Sequence, residues 1–327
     1  MGRWINRPEG SNWGDFGPDD QIGRMNLLTP EVRRGGIAEA REGIAFSLSL
    51  PLDHPGGESP FRKPPKLFAH PIGDQPGYNF RMGACGVMCD DGVVLYTQYS
   101  TQWDSLAHWG HMFDADGDGT PEAVYYNGFR AGSDLECHGV GHAPHAHRLG
   151  IENLAMAGVQ GRGVMIDLAA MYGTGPVPVD YPKLAAAIEA QKVEVRPGDF
   201  VLLYTGVDRI ILDNARRPGL SVAAHGPSLD GADPAVRDWI TRSDIVALCS
   251  DNIAVETLRM EEGSMSPALP IHDLCLFKLG IHLGELWYLE ELALWLRAHK
   301  RSAFMLTAPP LRLPGSVGSP VTPIATV

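Results

Sequence analysis

The stretch TQYSTQWDSLAHWGH, residues 97–111, sets Gln98, Gln102, Asp104 and His108 at spacings of four, two and four. It follows the apolar run GVVLYTQYS (92–100), which reads as a strand by its β-branched and aromatic residues. Side chains at these offsets converge on one point where an extended chain turns into a helix or loop. Asp104 is a hard oxygen ligand, and His108 is a second ligand or a general acid/base. Trp103 and Trp109 flank the pair and can line a pocket for a flat substrate, with core packing as the competing role.

Composition narrows the field. The chain has 327 residues, 44% hydrophobic and 20% charged, with a formal net charge of −12. That matches an ordinary globular protein with a sizeable core. The acidic balance argues against nucleic acid or an anionic membrane as partner, since both recruit Lys and Arg. The opening MGRWINRPEGSNWGDFG has no apolar h-region, and no apolar run approaches the roughly 20 residues of a membrane helix. Cys85, Cys89, Cys137, Cys249 and Cys275 form no CxxC pair, as expected of free thiols in a cytoplasmic protein.

The pattern along the chain predicts an α/β fold in a single domain over 1–327 with an irregular arm at 1–35. TPEVRRGGIAEA opens a helix with Thr29 as cap and Pro30 at its first position. IAFSLSLPL (44–52), GRGVMIDLA (161–169), PGDFVLLYTGV (197–207), DIVALCSDN (244–252) and RSAFMLTAPP (301–310) read as strands. YPKLAAAIEAQKV (181–193), DPAVRDWITRS (233–243) and GELWYLEELALWLRAHK (284–300) read as helices. The Pro/Gly-rich segment 53–91 reads as a long loop.

A second chemical stretch, PIHDLCLFKLGIHLGELWYLEELA (270–293), places His272 thirteen residues before Glu285. The two stretches together resemble the cyclase family of metal-dependent hydrolases, which includes bacterial kynurenine formamidase and isatin hydrolase. The family signature HxGTHxDxxxH appears here as QYSTQWDSLAH: Thr101, Asp104 and His108 match, while Gln98, Ser100 and Gln102 depart. NWGDFGPDDQIGRMNLLTPE (12–31), YNG (126–128), GRGVMID (161–167) and PGDFVLLYTG (197–206) also look like longer members, so the resemblance covers most of the chain.

The resemblance implies a cyclase-like β/β/α fold with a mixed sheet, usually in a homodimer or higher homo-oligomer. It implies Mn or Zn as a divalent metal, with Asp104, His272 and Glu285 as ligands, His108 as acid/base, and Gln98 and Gln102 standing where ligand histidines stand. Asn127 of the YNG stretch is carried over as a substrate-binding residue. The expected reaction is metal-assisted hydrolysis of an amide, imide, lactam or ester bond of a small molecule, often cyclic.

The two glutamines keep other readings open. An amide oxygen is a weak, hard ligand, and its nitrogen cannot bind metal. Their loss of imidazole lowers affinity for Zn²⁺ more than for Mn²⁺. As hydrogen-bond donors they also suit a metal-independent lyase or cyclising enzyme using His108 and Asp104. A non-catalytic small-molecule binding protein is the third reading.

Three further motifs stand apart. FDADGDGTPEAVYYNG (113–128) carries Asp114, Asp116, Asp118 and Gly119 like the first half of a calcium loop, but its twelfth position is Tyr125, which favours a polar turn over Ca²⁺. His138, His142, His145 and His147 crowd a Gly/Pro-interrupted loop with no zinc spacing. Asp251, Asn252 and Glu256 follow a strand, where α/β proteins place site residues or helix caps.

Overall fold

The computed structural model describes residues 3–56, 62–214, 225–260 and 267–327. Nine strands form one sheet: β1 (Ala45–Ser47), β2 (Gln102–Asp104), β3 (Gln160–Asp167), β4 (Phe200–Tyr204), β5 (Ala247–Ser250), β6 (His282–Glu285), β7 (Ala303–Thr307), β8 (Gly318–Pro320) and β9 (Ile324–Thr326). Their order is β1-β9-β7-β3-β4-β5-β6-β2-β8. The four central strands β3 to β6 are parallel, and antiparallel strands extend both flanks. This is the α/β fold that the alternation of strands and helices predicts, with the mixed sheet that the family resemblance implies.

The centre is parallel because its strands are apolar on both faces. FVLLY (200–204) is buried throughout, as a sheet covered on each side requires. Alternation sends Val164, Ile166, Val201, Leu203, Leu248 and Leu283 into one core, and Met165, Phe200, Leu202, Ala247 and Cys249 into the other. The helices are α1 (Pro30–Ile37), α2 (Ile151–Ala157), α3 (Leu168–Tyr172), α4 (Tyr181–Gln191), α5 (Val207–Asn214), α6 (Pro234–Arg242), α7 (Pro270–His272) and α8 (Glu290–His299). Their starts follow the capping chemistry. Thr29, Asp180 and Asp233 accept backbone N–H bonds from Val32, Lys183 and Ala235, with proline just inside each helix.

Three expected elements differ. The run 92–100 is no central strand: Asp91–Val94 pairs with Lys66–Ala69 outside the main sheet, and the strand that enters the sheet is β2. The segment 53–91, expected as a loop, contains this pairing and two smaller hairpins, Pro71–Ile72 with Gln75–Pro76 and Phe80–Met82 with Gly86–Met88. Its residues 57–61 lie outside the described residues. The expected helix 284–300 begins only at Glu290, and Glu285 ends strand β6. LGELW lacks the polar face of an exposed helix because it is a strand buried on both sides.

The N-terminal arm is a packing element. Trp13 is buried and donates from Nε1 to the Phe277 carbonyl (2.8 Å). Asn127, at φ 57, accepts from the Gly14 N–H and donates to the carbonyls of Gly17, Pro18 and Asp20. Gly23 and Gly280 meet backbone to backbone: a Cβ on Gly23 would lie 2.2 Å from the Gly280 carbonyl oxygen, and both residues have positive φ. The arm is thereby fixed against the end of the π-helical turn Asp273–Leu279 that follows α7.

Candidate active site

Strand β2 is three buried residues held between β6 and β8. Alternation turns Gln102 and Asp104 to one face, opposite Glu285 and Leu283 of β6, and turns Trp103 to the other. Trp103 is fully buried there, edge-on to Trp287 (centroids 5.1 Å apart), with Nε1 donating to the Ala308 carbonyl (2.7 Å). It is a core residue, which corrects its expected place in a substrate pocket. Trp109 does border the site, with its ring 5.7 Å from that of His272.

The third element is α7. Its helical turn carries His272 towards β6, and Glu256 fixes the imidazole. Glu256 accepts from the His272 backbone N–H (3.0 Å) and pairs with Nδ1 (2.9 Å), while the Ile271 N–H also points at its carboxylate. Nε2 is then directed to Glu285, 3.3 Å from Oε1. Gln102 Nε2 donates to the other oxygen of Glu285 (2.9 Å). Ligand atoms of Asp104, His272 and Glu285 all lie within 4.8 Å of one another, and all three residues are buried.

Several oxygens of this group lack a donor. Both carboxylate oxygens of Asp104 and Oε1 of Gln102 are buried with no hydrogen-bond donor among the described residues. A buried carboxylate without donors is costly unless a cation or proton joins it. Burial, and then the Asp104 charge, push the Glu285 carboxyl up to about 7. Burial alone would lower the His272 pKa, but hydrogen bonds to Glu256 and Glu285 raise it to about 10. The protein thus draws a positive charge into this pocket. Two carboxylates, one imidazole oriented through its far nitrogen by a carboxylate, and a neutral amide oxygen fit a divalent ion. The residues that can hold it are Asp104, His272 and Glu285, with Gln102 Oε1 beside them.

Gln98, expected as a ligand, has both ends of its amide engaged by neighbours. Its Oε1 accepts from the Thr97 hydroxyl (2.9 Å), and its Nε2 donates to Nδ1 of His108 (2.9 Å). The residue precedes β2 in a turn, so the sheet does not aim it with Gln102. His108 is at the mouth, its side chain 23% exposed, with Nε2 3.9 Å from Asp104 Oδ1. Burial holds its pKa below the usual value, opposed by the Asp104 charge. A neutral imidazole accepting at Nδ1 carries its proton on Nε2, facing Asp104.

Asn127, expected at the substrate, is spent on the arm as described above. Arg62 was missed by sequence reasoning: it donates to the Gln98 carbonyl (2.7 Å), and its charge acts on Glu285 and His108. No local signal marks a residue 36 positions away in the chain. Glu256 is marked in sequence only by its place after a strand, and Asp251 serves as a buried acceptor for the Thr205 and Val207 N–H groups.

The remaining motifs resolve as surface structure. Asp114, Asp116 and Asp118 have ligand atoms close together, but they accept N–H bonds from Gly117, Gly119, Asp118 and Thr120 in a hairpin turn. Glu122, the next calcium-loop position, is held by Arg130 at 2.6 Å, which supports the turn reading. In the histidine-rich hairpin, Glu136 lies 2.9 Å from both His138 and His147, while His142 and His145 stay outside any cluster with the candidate site.

With the geometry in place, comparison with known proteins identifies the lineage. The chain belongs to the cyclase family: the family model described as "Putative cyclase" matches residues 46–257. That segment contains Gln98 to His108 and Glu256, and His272 and Glu285 lie beyond it. A solved structure described as a novel cyclase is 31% identical, covering 98% of this chain and 100% of that one, with a TM-score of 0.79. Two more distant structures share the fold. Isatin hydrolase A from Labrenzia aggregata, bound to benzyl benzoate, is 16% identical over 87% of this chain and 93% of its own, at TM-score 0.56. Isatin hydrolase A from Ralstonia solanacearum is 17% identical over 91% and 98%, also at 0.56. No curated protein is significantly similar to this chain in sequence. No helix among the described residues is long and apolar enough to cross a membrane.

Proposed function

We propose that the protein is a hydrolase of small molecules that opens an amide, imide, lactam or ester bond, often in a ring, with a divalent ion held by Asp104, His272 and Glu285. The observation that carries this reading is the donor-free Asp104 carboxylate, buried beside a second carboxylate and an imidazole nitrogen. A divalent ion there supplies Lewis acidity towards a substrate carbonyl and acidifies water.

The chain's own residues do the rest. Glu256 holds Nδ1 of His272, leaving Nε2 for the ion. Gln102 fixes the rotamer of Glu285 through its N–H bond. His108 at the pocket mouth is the acid/base: it would take the proton of the attacking water and give one to the leaving nitrogen or oxygen as the acyl bond breaks, ending neutral as it began. Trp109 offers an edge for a flat ring beside His272. Mn²⁺ suits this oxygen-rich set better than Zn²⁺, which favours nitrogen and sulfur.

The test is metal content of protein purified without added metal, beside Asp104→Ala, followed by a screen of isatin-like cyclic amides, imides and esters with and without chelator. Near-stoichiometric metal lost in the variant, and turnover lost on chelation, are the expected results. One observation favours a second reading, a metal-independent lyase or cyclising enzyme using His108 and Asp104: their side chains face each other at 3.9 Å, an acid/base pair that needs no ion. Turnover that survives chelation but falls on His108→Ala decides for it.

A further inference from the structure

A second cavity lies away from the candidate active site, where the C-terminal ends of α4 and α8 come together over the end of β3 and the start of β7. Its volume is about 350 Å³, within the range of small-ligand sites. Four of its lining residues are cationic, Lys192, Arg297, Lys300 and Arg301, and one, Asp167, is anionic. The concentration stands out on a chain of net charge −12. Met165 and Leu296 give it an apolar wall.

Two of the cations are already engaged. Arg297 Nε donates to Asp167 (3.0 Å), and Arg301 donates to the carbonyls of Glu39 and Ala303. The exposed side-chain ammonium groups of Lys192 and Lys300 have no hydrogen-bond or ion-pair partner among the described residues. Both lysines end their helices in the left-handed conformation, at φ 55, ψ 40 and φ 55, ψ 38. Glycine is the usual residue there because it has no Cβ to strain. The fold therefore carries lysine, in place of the easier glycine, at both helix ends that face one cavity. Helix C-termini already favour cations, but that local benefit does not explain why the two ends converge on a shared hollow with an apolar wall.

We propose that this cavity binds a small organic anion, a carboxylate or phosphate monoester with an apolar body, with the anionic group between Lys192 and Lys300 and the body against Met165 and Leu296. It is separate from the ion-binding candidate, since β4 and β5 stand between β3 and β6 in the sheet. Which metabolite carries the anion is left to the ligand, whose shared chemistry is charge plus an apolar group.

The experiment is calorimetric titration of the full chain with phenyl phosphate, benzoate and inorganic phosphate at low salt. The variants are Lys192→Gly/Lys300→Gly and Asp104→Ala. Glycine suits the left-handed positions, so the double variant is expected to fold at least as well as the parent by thermal melting. Saturable binding of phenyl phosphate or benzoate is expected, tighter than inorganic phosphate and weakening as salt rises. The lysine variant should bind about tenfold more weakly or worse, the order expected from losing two partly exposed charge contacts, and Asp104→Ala should bind as the parent does. No saturable heat, unchanged affinity in the lysine variant, equal affinity for inorganic phosphate, or binding lost in Asp104→Ala would each overturn the proposal.

Discussion

The Gln98 amide nitrogen lies 2.9 Å from Nδ1 of His108, and this contact holds the imidazole proton on Nε2, the nitrogen that faces Asp104. Gln98 thus sets the protonation of its neighbour.

Gln98→Glu should reverse that choice, because a carboxylate accepts from Nδ1–H and leaves Nε2 bare. Nitrogen NMR of labelled histidine should show the proton moving from Nε2 to Nδ1. Gln98→Ala should lower kcat/KM roughly 10- to 100-fold, the scale of a lost orienting contact. A wild-type His108 already protonated on Nδ1 would refute the assignment.

Glu256 acts on His272 in the same manner. Glu256→Gln keeps the shape but weakens the hold on Nδ1. Mn²⁺ affinity should fall roughly 10- to 100-fold with little change in melting temperature of the chelated protein. Unchanged affinity in a titration would remove Glu256 from the site.

Trp103→Phe should cost about 1–3 kcal/mol of stability, since it removes packed volume against Trp287 and the bond to Ala308. KM for any identified substrate should not move, because the side chain faces away from Asp104. A KM change without loss of stability would place Trp103 in the pocket after all.

The buried pair Asp208 and Asp251 predicts a pH effect remote from the site. Asp208 accepts from the Leu289 and Glu290 N–H groups at the start of α8 (2.7 and 2.8 Å). Burial and then the Asp251 charge nevertheless raise its carboxyl to about 8. A raised carboxyl pKa means that the folded state keeps a proton that the unfolded chain releases near pH 4. Stability from this group is therefore present at low pH and is lost as pH rises towards 8, with a slope of at most about 1.4 kcal/mol per pH unit. Denaturant melts across this window should show the decline, and Asp208→Asn should flatten it. An equal slope in both proteins would show that the pair does not titrate there.

Local chemistry in the chain determined a good deal. Helix starts at Thr29, Asp180 and Asp233 were legible because a cap acts within three residues. The central strands were legible because burial on both faces demands continuous apolar runs. Family likeness in the sequence pointed to Asp104, His272 and Glu285, and the fold brings these three together. What tertiary structure alone decided is direction and partnership. Trp103 and Asp104 are neighbours in sequence, yet the pleat sends one to the core and the other to the site. Gln98 and Gln102 look equivalent, but only Gln102 sits on the strand opposite Glu285, while Gln98 precedes it in a turn and reaches His108. Glu285 looks like the opening of a helix until pairing with Gln102 makes it the end of a strand. Lys192 and Lys300 are more than a hundred residues apart and meet at one cavity only because α4 and α8 end together. Propensity and capping act over a few residues, so sequence records them directly. Side-chain facing and long-range meeting depend on register and packing, which exist only once the sheet has formed.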